Sequence, residues 1–255
     1  MRYDVATAIS QGQRDYQEDA VIADFSLGSD FGFAVLADGM GGHAAGDVAS
    51  KVVVTEVFSE LKLQVGDVIA LEEEIGEVLR GVAEAANACI DSLVNENTSL
   101  RGMGATLIAP VFFEERLYWI SIGDSPLFLY RGGSLRQLNE DHSLAPQIDV
   151  MVKTGQIDEE TARNHPDRNS LTSVVMGRRI PQTDCPVEPL ELKPDDIVIA
   201  SSDGLQYLSN DEIEAILKKV SKKRSEEIAE SLLAAIDQND HPDQDNVSMV
   251  VIKIR

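Results

Sequence analysis

Apolar residues come along this chain in two rhythms, and the switches between them mark out the elements. Near the start they form short runs between turn residues: Tyr3 to Ile9, Ala20 to Phe25 and Phe31 to Ala37. Runs of that length bounded by turns read as β-strands. From Ala45 to Leu61 the spacing becomes helical, with Val48, Val52, Val53 and Val57 on one side. A second helix is predicted from about Leu71 to Val94, with Ile75, Leu79, Val82, Ala86 and Ile90 as its apolar stripe. The period then returns to strands. Ala105 to Phe113 and Arg116 to Ile122 read as a hairpin around Glu114-Glu115, and Leu127 to Tyr130 and Leu135 to Leu138 as another around Arg131-Gly132-Gly133. Pro110 inside the first hairpin predicts an edge strand or a bulge, because proline cannot donate to a ladder. Residues 142–180 read as short helix and loop, followed by strands at Val187 to Leu192 and Ile197 to Ala200. Helices at Asp211 to Lys219 and Ser225 to Asp237 precede a last strand, Val247 to Ile252. Strands in blocks with helices in pairs between them predict a layered α+β fold rather than an alternating parallel sheet.

Carboxylates stand at the ends of these strands. Phe31 to Ala37 runs into Asp38-Gly39-Met40-Gly41-Gly42-His43, Ile197 to Ala200 runs into Ser201-Ser202-Asp203-Gly204, and Asp245-Asn246 opens the final strand. Arg14-Asp15-Tyr16-Gln17-Glu18-Asp19-Ala20 adds a cation and an acidic pair. Carboxylates far apart in sequence but held at the ends of a rigid sheet are what an oxygen-ligand metal site needs.

Composition narrows the partners. The 255 residues and 43% hydrophobic content allow one sizeable core, and the net charge of −22 opposes binding to nucleic acid or to an anionic membrane. The two cysteines, Cys89 and Cys185, form no Cys-x-x-Cys, which leaves out a zinc-thiolate site and a disulfide framework. Met1-Arg2-Tyr3-Asp4 is not the start of a signal peptide, and no apolar run approaches the ~18 residues of a membrane span. A cytoplasmic protein is expected.

Seven motifs occur in order: Arg14-x-x-x-Glu18-Asp19-Ala20, Asp38-Gly39-Met40-Gly41-Gly42-His43, Gly104-Ala105-Thr106, Gly123-Asp124-Ser125, Asp141-His142-Ser143, Ser202-Asp203-Gly204 and Asp245-Asn246. Together they resemble the bacterial metal-dependent Ser/Thr protein phosphatases of the type 2C (PPM) family, and the resemblance spans essentially the whole chain. It implies a four-layer α-β-β-α sandwich, two antiparallel sheets flanked by helix pairs. It implies a single catalytic domain over residues 1–255, with a flap at about 142–180 that carries Gly155-Gln156-Ile157, His165-Pro166, Arg168-Asn169 and Leu171-Thr172.

The same resemblance implies two Mn²⁺ or Mg²⁺ ions at one end of the sandwich. Glu18, Asp38 and the Gly39 carbonyl would hold one; Asp38, Asp203 and Asp245 would hold the other, with Asp38 bridging. Asp19 would orient the water that attacks phosphoserine or phosphothreonine directly, Arg14 would capture the phosphate, and Asp124 would help bind a looser third ion. Phosphorylated proteins would be the substrates, a Ser/Thr kinase the functional partner, and a monomer the working form. Four positions depart from the family pattern. Gln17 replaces an Asn, Pro126 replaces an Arg of a structural ion pair, and Tyr207 stands where many members carry an acid. Met40 takes the place of a general-acid His of eukaryotic members, as is common in bacterial ones. His43, three residues on, is then the nearest proton donor, although water is the preferred reading.

The chemistry agrees with the resemblance independently. Hard cations take carboxylates, carbonyls and water, so few protein ligands suffice, and a planar guanidinium suits bidentate capture of phosphate. No nucleophilic cysteine or serine is required. Gly39-x-Gly41-x-x-Ala44 has dinucleotide-binding spacing, but Asp38 would meet the pyrophosphate and no parallel strand follows. The acidic loop Asp237, Asp240, Asp243 and Asp245 lacks the central Gly and distal Glu of an EF-hand. A metal- or phosphoprotein-sensing module on the same fold remains the alternative, and the retained Glu18, Asp38, Asp203 and Asp245 weigh against it. His142, His165 and His241 read as packing, turn or surface residues. Between Arg163 and Arg179, Arg163, Arg168, Arg178 and Arg179 face the single acid Asp167. Such a basic stretch would draw phosphorylated loops toward the site or pin the flap.

Overall fold

The computed structural model describes residues 3–26, 29–42 and 45–255. His43 therefore lies outside the described residues. The first strands are β1 (Tyr3–Ser10), β2 (Asp19–Phe25) and β3 (Phe31–Met40), followed by helices α1 (Ala45–Gln64), α2 (Val68–Glu73) and α3 (Ile75–Glu96). Next come β4 (Gly104–Ala105), β5 (Leu107–Phe113), β6 (Arg116–Ile122), β7 (Leu127–Arg131) and β8 (Ser134–Gln137). Short helices α4 (Ala145–Lys153) and α5 (Glu159–Arg163) precede β9 (Leu190–Glu191) and β10 (Ile197–Ser201), and α6 (Asn210–Val220), α7 (Ser225–Gln238) and β11 (Val247–Ile254) finish the chain.

Two antiparallel sheets result. One runs β1-β11-β10-β7-β8; the other runs β2-β3-β5-β6-β9, with β4 continuing β5 alongside β3. Their inner faces meet through Ala34, Leu36, Ile108, Phe112, Val198, Ala200, Val250 and Ile252. The alternate residues of the same strands face outward and are buried too. Phe33, Val35 and Ala37 pack on α1 and α3, whereas Ile197, Ile199, Val247, Met249 and Val251 pack on α6 and α7. Side chains alternate across a strand, so a strand covered on both faces must be apolar at every position. That accounts for unbroken runs such as Phe33 to Ala37 and for the four layers, helix pair, sheet, sheet and helix pair. Each fully buried Phe, Leu or Ile contributes roughly 1.5–3 kcal/mol of burial.

Three local expectations need correction. The long second helix is two. The chain turns at Glu74 (φ −110°, ψ 11°), while Glu72, at the end of α2, is anchored to Arg116 and Tyr118 of β6. Pro110 lies in a central strand, opposite Trp119 of β6. The register between β3 and β5 is the same on both sides of it, from Phe33↔Val111 to Leu36↔Ile108, so no residue bulges out. The two rungs missing in between are where the proline nitrogen has no hydrogen to give. Finally, Val187 to Leu192 shrinks to Leu190–Glu191, because Pro189 interrupts it and Val187 stands 76% exposed. Among the described residues, no helix is long and apolar enough to cross a membrane.

Candidate metal centre

The ends of strands from both sheets supply the acids. Asp38 lies near the end of β3, and Asp19, the first residue of β2, sits directly opposite it in the ladder. Asp124 follows β6, Asp203 follows β10 and Asp245 precedes β11. Because β10 and β11 are neighbours, the Ser202 N–H donates to the Ser248 carbonyl (3.0 Å) and Asp203 comes beside Asp245. Arg14, Glu18, Asp38, Gly39, Met40, Thr106, Asp124, Asn169, Leu171, Asp203 and Asp245 line one cleft of about 280 Å³. Asp19 lies buried beneath it.

Neutral polar residues fix this geometry. Thr106 exchanges two bonds with Asp38: the Asp38 N–H donates to Thr106 Oγ1 and the Thr106 N–H to the Asp38 carbonyl, both at 2.9 Å. Thr106 Oγ1 also meets Ser125 Oγ at 2.7 Å, which ties the Asp38 strand to the Asp124 turn. Asn246 clamps the N-terminal loop: it accepts from the Glu18 N–H (2.7 Å) and donates to the carbonyls of Gln11 (2.8 Å) and Tyr16 (3.0 Å). Ser202 donates to Asp19 Oδ2 (2.7 Å) while accepting from the Ser248 N–H (3.0 Å). Gln17, the replacement for Asn, accepts from the Asp19 N–H at 2.9 Å. Gly39 and Gly46 are required where three segments close up. A Cβ on Gly39 would lie 2.0 Å from the Gly46 carbonyl, and one on Gly46 would lie 2.3 Å from Glu18 Oε1.

The acids perturb one another strongly. Asp38 is pushed well above the ordinary carboxylate range, first by burial and then by Asp19, Asp203, Asp124 and Asp245. Burial raises Asp19 to about 7, with Ser202 opposing and Asp203 adding to the rise. Asp124 reaches about 7 through burial and its neighbours Asp203 and Asp141; Asp203 reaches about 6 through burial and Asp245. Burial also raises Glu18, although Arg14 pulls it down. Arg14 Nη2 donates to Asp245 Oδ2 at 2.5 Å, so this cation is held at the cleft mouth by one of the acids.

The donor set fits a hard divalent cation. Glu18 Oε1, Asp19 Oδ1 and Asp203 Oδ1 are buried without any hydrogen-bond partner. Buried acceptors of that kind are costly unless something positive satisfies them. Among the described residues, no three His, Cys, Asp or Glu side chains are already clasped at ligand spacing. A ring of spread carboxylates suits ions that keep several of their own waters.

A second cleft of about 530 Å³ adjoins the first, and it adds Asp141, Ser143, Arg168, Gln206 and Tyr207. Tyr207 donates to the Asp243 carbonyl (2.6 Å), with its ring against His241. His142 is a buried packing residue that accepts from the Gly123 N–H (3.2 Å). Gln206 drew no role from the sequence, and Asn169, Thr106 and Ser125 only membership of a motif. A hydroxyl inside the apolar run Ala105 to Ile108 was the available signal for Thr106. The four arginines do not gather at the cleft. Arg168 lines it but pairs with Asp149 (2.7 Å), Arg163, at the end of α5, lines a cavity against α4, and Arg178 faces α3.

Comparison with known proteins decides the family. The sequence profile of protein phosphatase 2C matches residues 9–241. The chain belongs to this family. It is 33% identical over 220 residues to the serine/threonine phosphatase stp of Listeria welshimeri, which covers 86% of this chain and 83% of that one. The crystal structure of the Mycobacterium tuberculosis serine/threonine phosphatase PstP/Ppp superposes with a TM-score of 0.81 at 29% identity, over 100% of both chains. A structure of the PstP catalytic domain in complex with two manganese ions matches 99% of each chain, with a TM-score of 0.76 and 29% identity.

Proposed function

We propose that this type 2C phosphatase hydrolyses phosphoserine and phosphothreonine in proteins, using two Mn²⁺ or Mg²⁺ ions. The observation that carries the reading is the ring of strand-end carboxylates with three buried, unpartnered oxygens. Glu18, Asp38 and the Gly39 carbonyl would hold one ion; Asp38, Asp203 and Asp245 the other, and Asp124 would help hold a third. When bound, the ions supply charge that makes a water nucleophilic near neutral pH and clamps the oxygens of an in-line displacement.

The protein's own groups do the positioning. Arg14, fixed through one guanidinium nitrogen on Asp245, keeps its other N–H groups for the phosphate oxygens. Asp19 has one oxygen occupied by Ser202 and the other buried without a partner, so it can accept from the attacking water and aim it. Asn169 and Leu171 line the cleft, which supports reading residues 142–180 as a flap on a single catalytic domain over 1–255. Neither Cys89 nor Cys185 lines the cleft, which agrees with direct attack and no phosphoenzyme. A Ser/Thr kinase acting on the same proteins would complete the cycle, in the cytoplasm, with the phosphatase as a monomer.

The test is phosphate release from a phosphothreonine peptide by the purified protein in Mn²⁺, in Mg²⁺ and in EDTA. Turnover in either metal that EDTA abolishes is expected. Equal turnover in EDTA would refute the metal reading, and binding without turnover in both metals would favour the sensor alternative.

A further inference from the structure

A separate cavity opens on the other side of β4 from the metal cleft. It holds about 370 Å³ and is lined by Arg101, Arg178, Asn95, Asp91 and the glycines 102 and 177, with Val94 and Met176 beneath. In a chain of net charge −22, five arginines are tied up in ion pairs: Arg14, Arg116, Arg131, Arg168 and Arg255. Arg101 and Arg178 are exposed, and neither guanidinium has a hydrogen bond or ion pair among the described residues. Two unpaired guanidinium groups against the single carboxylate Asp91 make this a local reversal of the protein's sign.

The frame around the cavity is rigid. Asn87, buried on α3, donates to the Arg178 carbonyl (2.7 Å) and accepts from the N–H groups of Gly177 (2.8 Å) and Met176 (3.2 Å). Gly177, with φ +77°, packs so closely on α3 that a Cβ would lie 2.7 Å from the Asp91 Cα. The turn carrying Arg178 is therefore pinned to the helix that forms the opposite wall.

Its distance from the metal cleft follows from the ladder. Met40, at the cleft rim, pairs with Gly104 of β4, and Ala105 pairs with Val175 through bonds of 2.9 and 3.0 Å. Two strand spacings of about 4.8 Å, with a further few ångströms for the side chains, separate the cleft from the cavity. An extended peptide advances about 3.3 Å per residue, so three or four residues span the gap.

We propose that this cavity binds a second anionic side chain of the phosphoprotein substrate, three or four residues from the phosphate that is hydrolysed. The proposal deepens the phosphatase reading and rests on it. Both carboxylate and phosphate suit two guanidinium forks, phosphate with more bonds. Charge there acts on substrate capture rather than on the chemical step, since neither arginine reaches the metal cleft.

The test uses one phosphothreonine peptide scaffold whose fourth residue, on either side, is Ala, Glu or a non-hydrolysable phosphonate analogue of phosphoserine. The expected result is a KM about fivefold lower for an anionic peptide than for the alanine one, at one of the two placements. R101Q/R178Q and R101E/R178E should abolish that preference while keeping the kcat and KM for the alanine peptide and for an aryl phosphate. Preference for the phosphonate over Glu identifies multiply phosphorylated substrates, and equality identifies acidic ones. A wild-type enzyme indifferent to the fourth residue at both placements overturns the proposal, as does a preference that survives in both double variants. Anisotropy of a labelled peptide with phosphonate at both positions reads the cavity without turnover. Loss of catalysis would then refute the phosphatase reading, and unchanged affinity in R101E/R178E would refute the second site.

Discussion

Replacing Asp124 by Asn should stabilise the metal-free protein, and should do so more at pH 8 than at pH 5. Burial together with Asp203 and Asp141 raises the Asp124 carboxyl from 3.8 to about 7 in the fold, whereas the unfolded chain restores an ordinary value. A raised folded pKa means that the native state binds the proton more tightly. The stability associated with it is complete below about pH 4 and is lost as the pH climbs through 7. At pH 8 the carboxylate opposes folding by about 3 pK units, a ceiling of roughly 4 kcal/mol at 1.36 kcal/mol per unit. At pH 5 the folded carboxyl is protonated and the opposition falls to roughly 1.5–2 kcal/mol, the preference of the unfolded chain for ionisation. Water reaching the open cleft lowers both figures and leaves their order unchanged. A protein of this size shifts its melting temperature by about 2–4 °C per kcal/mol. Thermal unfolding in EDTA should thus show Asp124→Asn several degrees above wild type at pH 8, with the gap at least halved at pH 5. In saturating Mn²⁺ the advantage should disappear, because cation charge satisfies the wild-type carboxylate. A gain equal at both pH values, or a variant less stable than wild type in EDTA at pH 8, would refute the argument.

Asp203→Asn and Asp245→Asn should each weaken Mn²⁺ binding in calorimetry and lower turnover by orders of magnitude, with near-wild-type turnover at saturating Mn²⁺ as the contrary result. Thr106→Val keeps the shape but strips the Asp38 N–H of its acceptor and Ser125 of its partner, so urea unfolding should lose about 1–3 kcal/mol. The double variant Cys89→Ser with Cys185→Ser should keep its turnover, and mass spectrometry of quenched enzyme should find no phosphoprotein intermediate. His43→Ala should affect phosphoserine peptides and aryl phosphates equally; selective damage to the peptide, whose alkoxide leaving group needs a proton, would make His43 the general acid.

Much of the fold was legible because its strands are buried on both faces. Phe33 to Ala37 has no polar position to spare, and such a run between turns signals a strand without any knowledge of its neighbours. The acids were legible for a related reason: an aspartate that ends an apolar run next to a glycine is a local pattern, visible at Asp38 and Asp203. Partnership was not legible. That Glu72 would be held by Arg116, 44 residues on, and leave the helix to turn at Glu74 depends on a contact between distant elements. Pro110 misled because its cost depends on which neighbour loses a hydrogen bond, and the ladder with β3 drops two rungs without losing register. The arginines were legible only as two alternatives. Arg163, Arg168, Arg178 and Arg179 are close in sequence, but Arg168 pairs with Asp149 inside the 142–180 segment, while Arg178 lines a cavity together with Arg101, from a different loop.

The raised carboxyls and the three apolar layers belong to one balance. Asp19, Asp38, Asp124 and Asp203 are all held above their ordinary values, so in metal-free protein at neutral pH the cleft opposes folding. The strand ends cannot relax outward to relieve this, because the residues behind them (Ala37 behind Asp38, Ala200 and Ser201 behind Asp203) are wholly buried. Thr106, Ser202 and Asn246 then hold the individual segments against their neighbours by neutral hydrogen bonds that repulsion does not weaken, Ser202 through the Ser248 N–H. The cost of bringing like charges together is met by core burial remote from the cleft, which leaves the acids organised before any ion arrives. On the proposed reading, ion binding would then have little chain entropy to overcome and strong repulsion to relieve, a combination that would favour divalent over monovalent cations at this site.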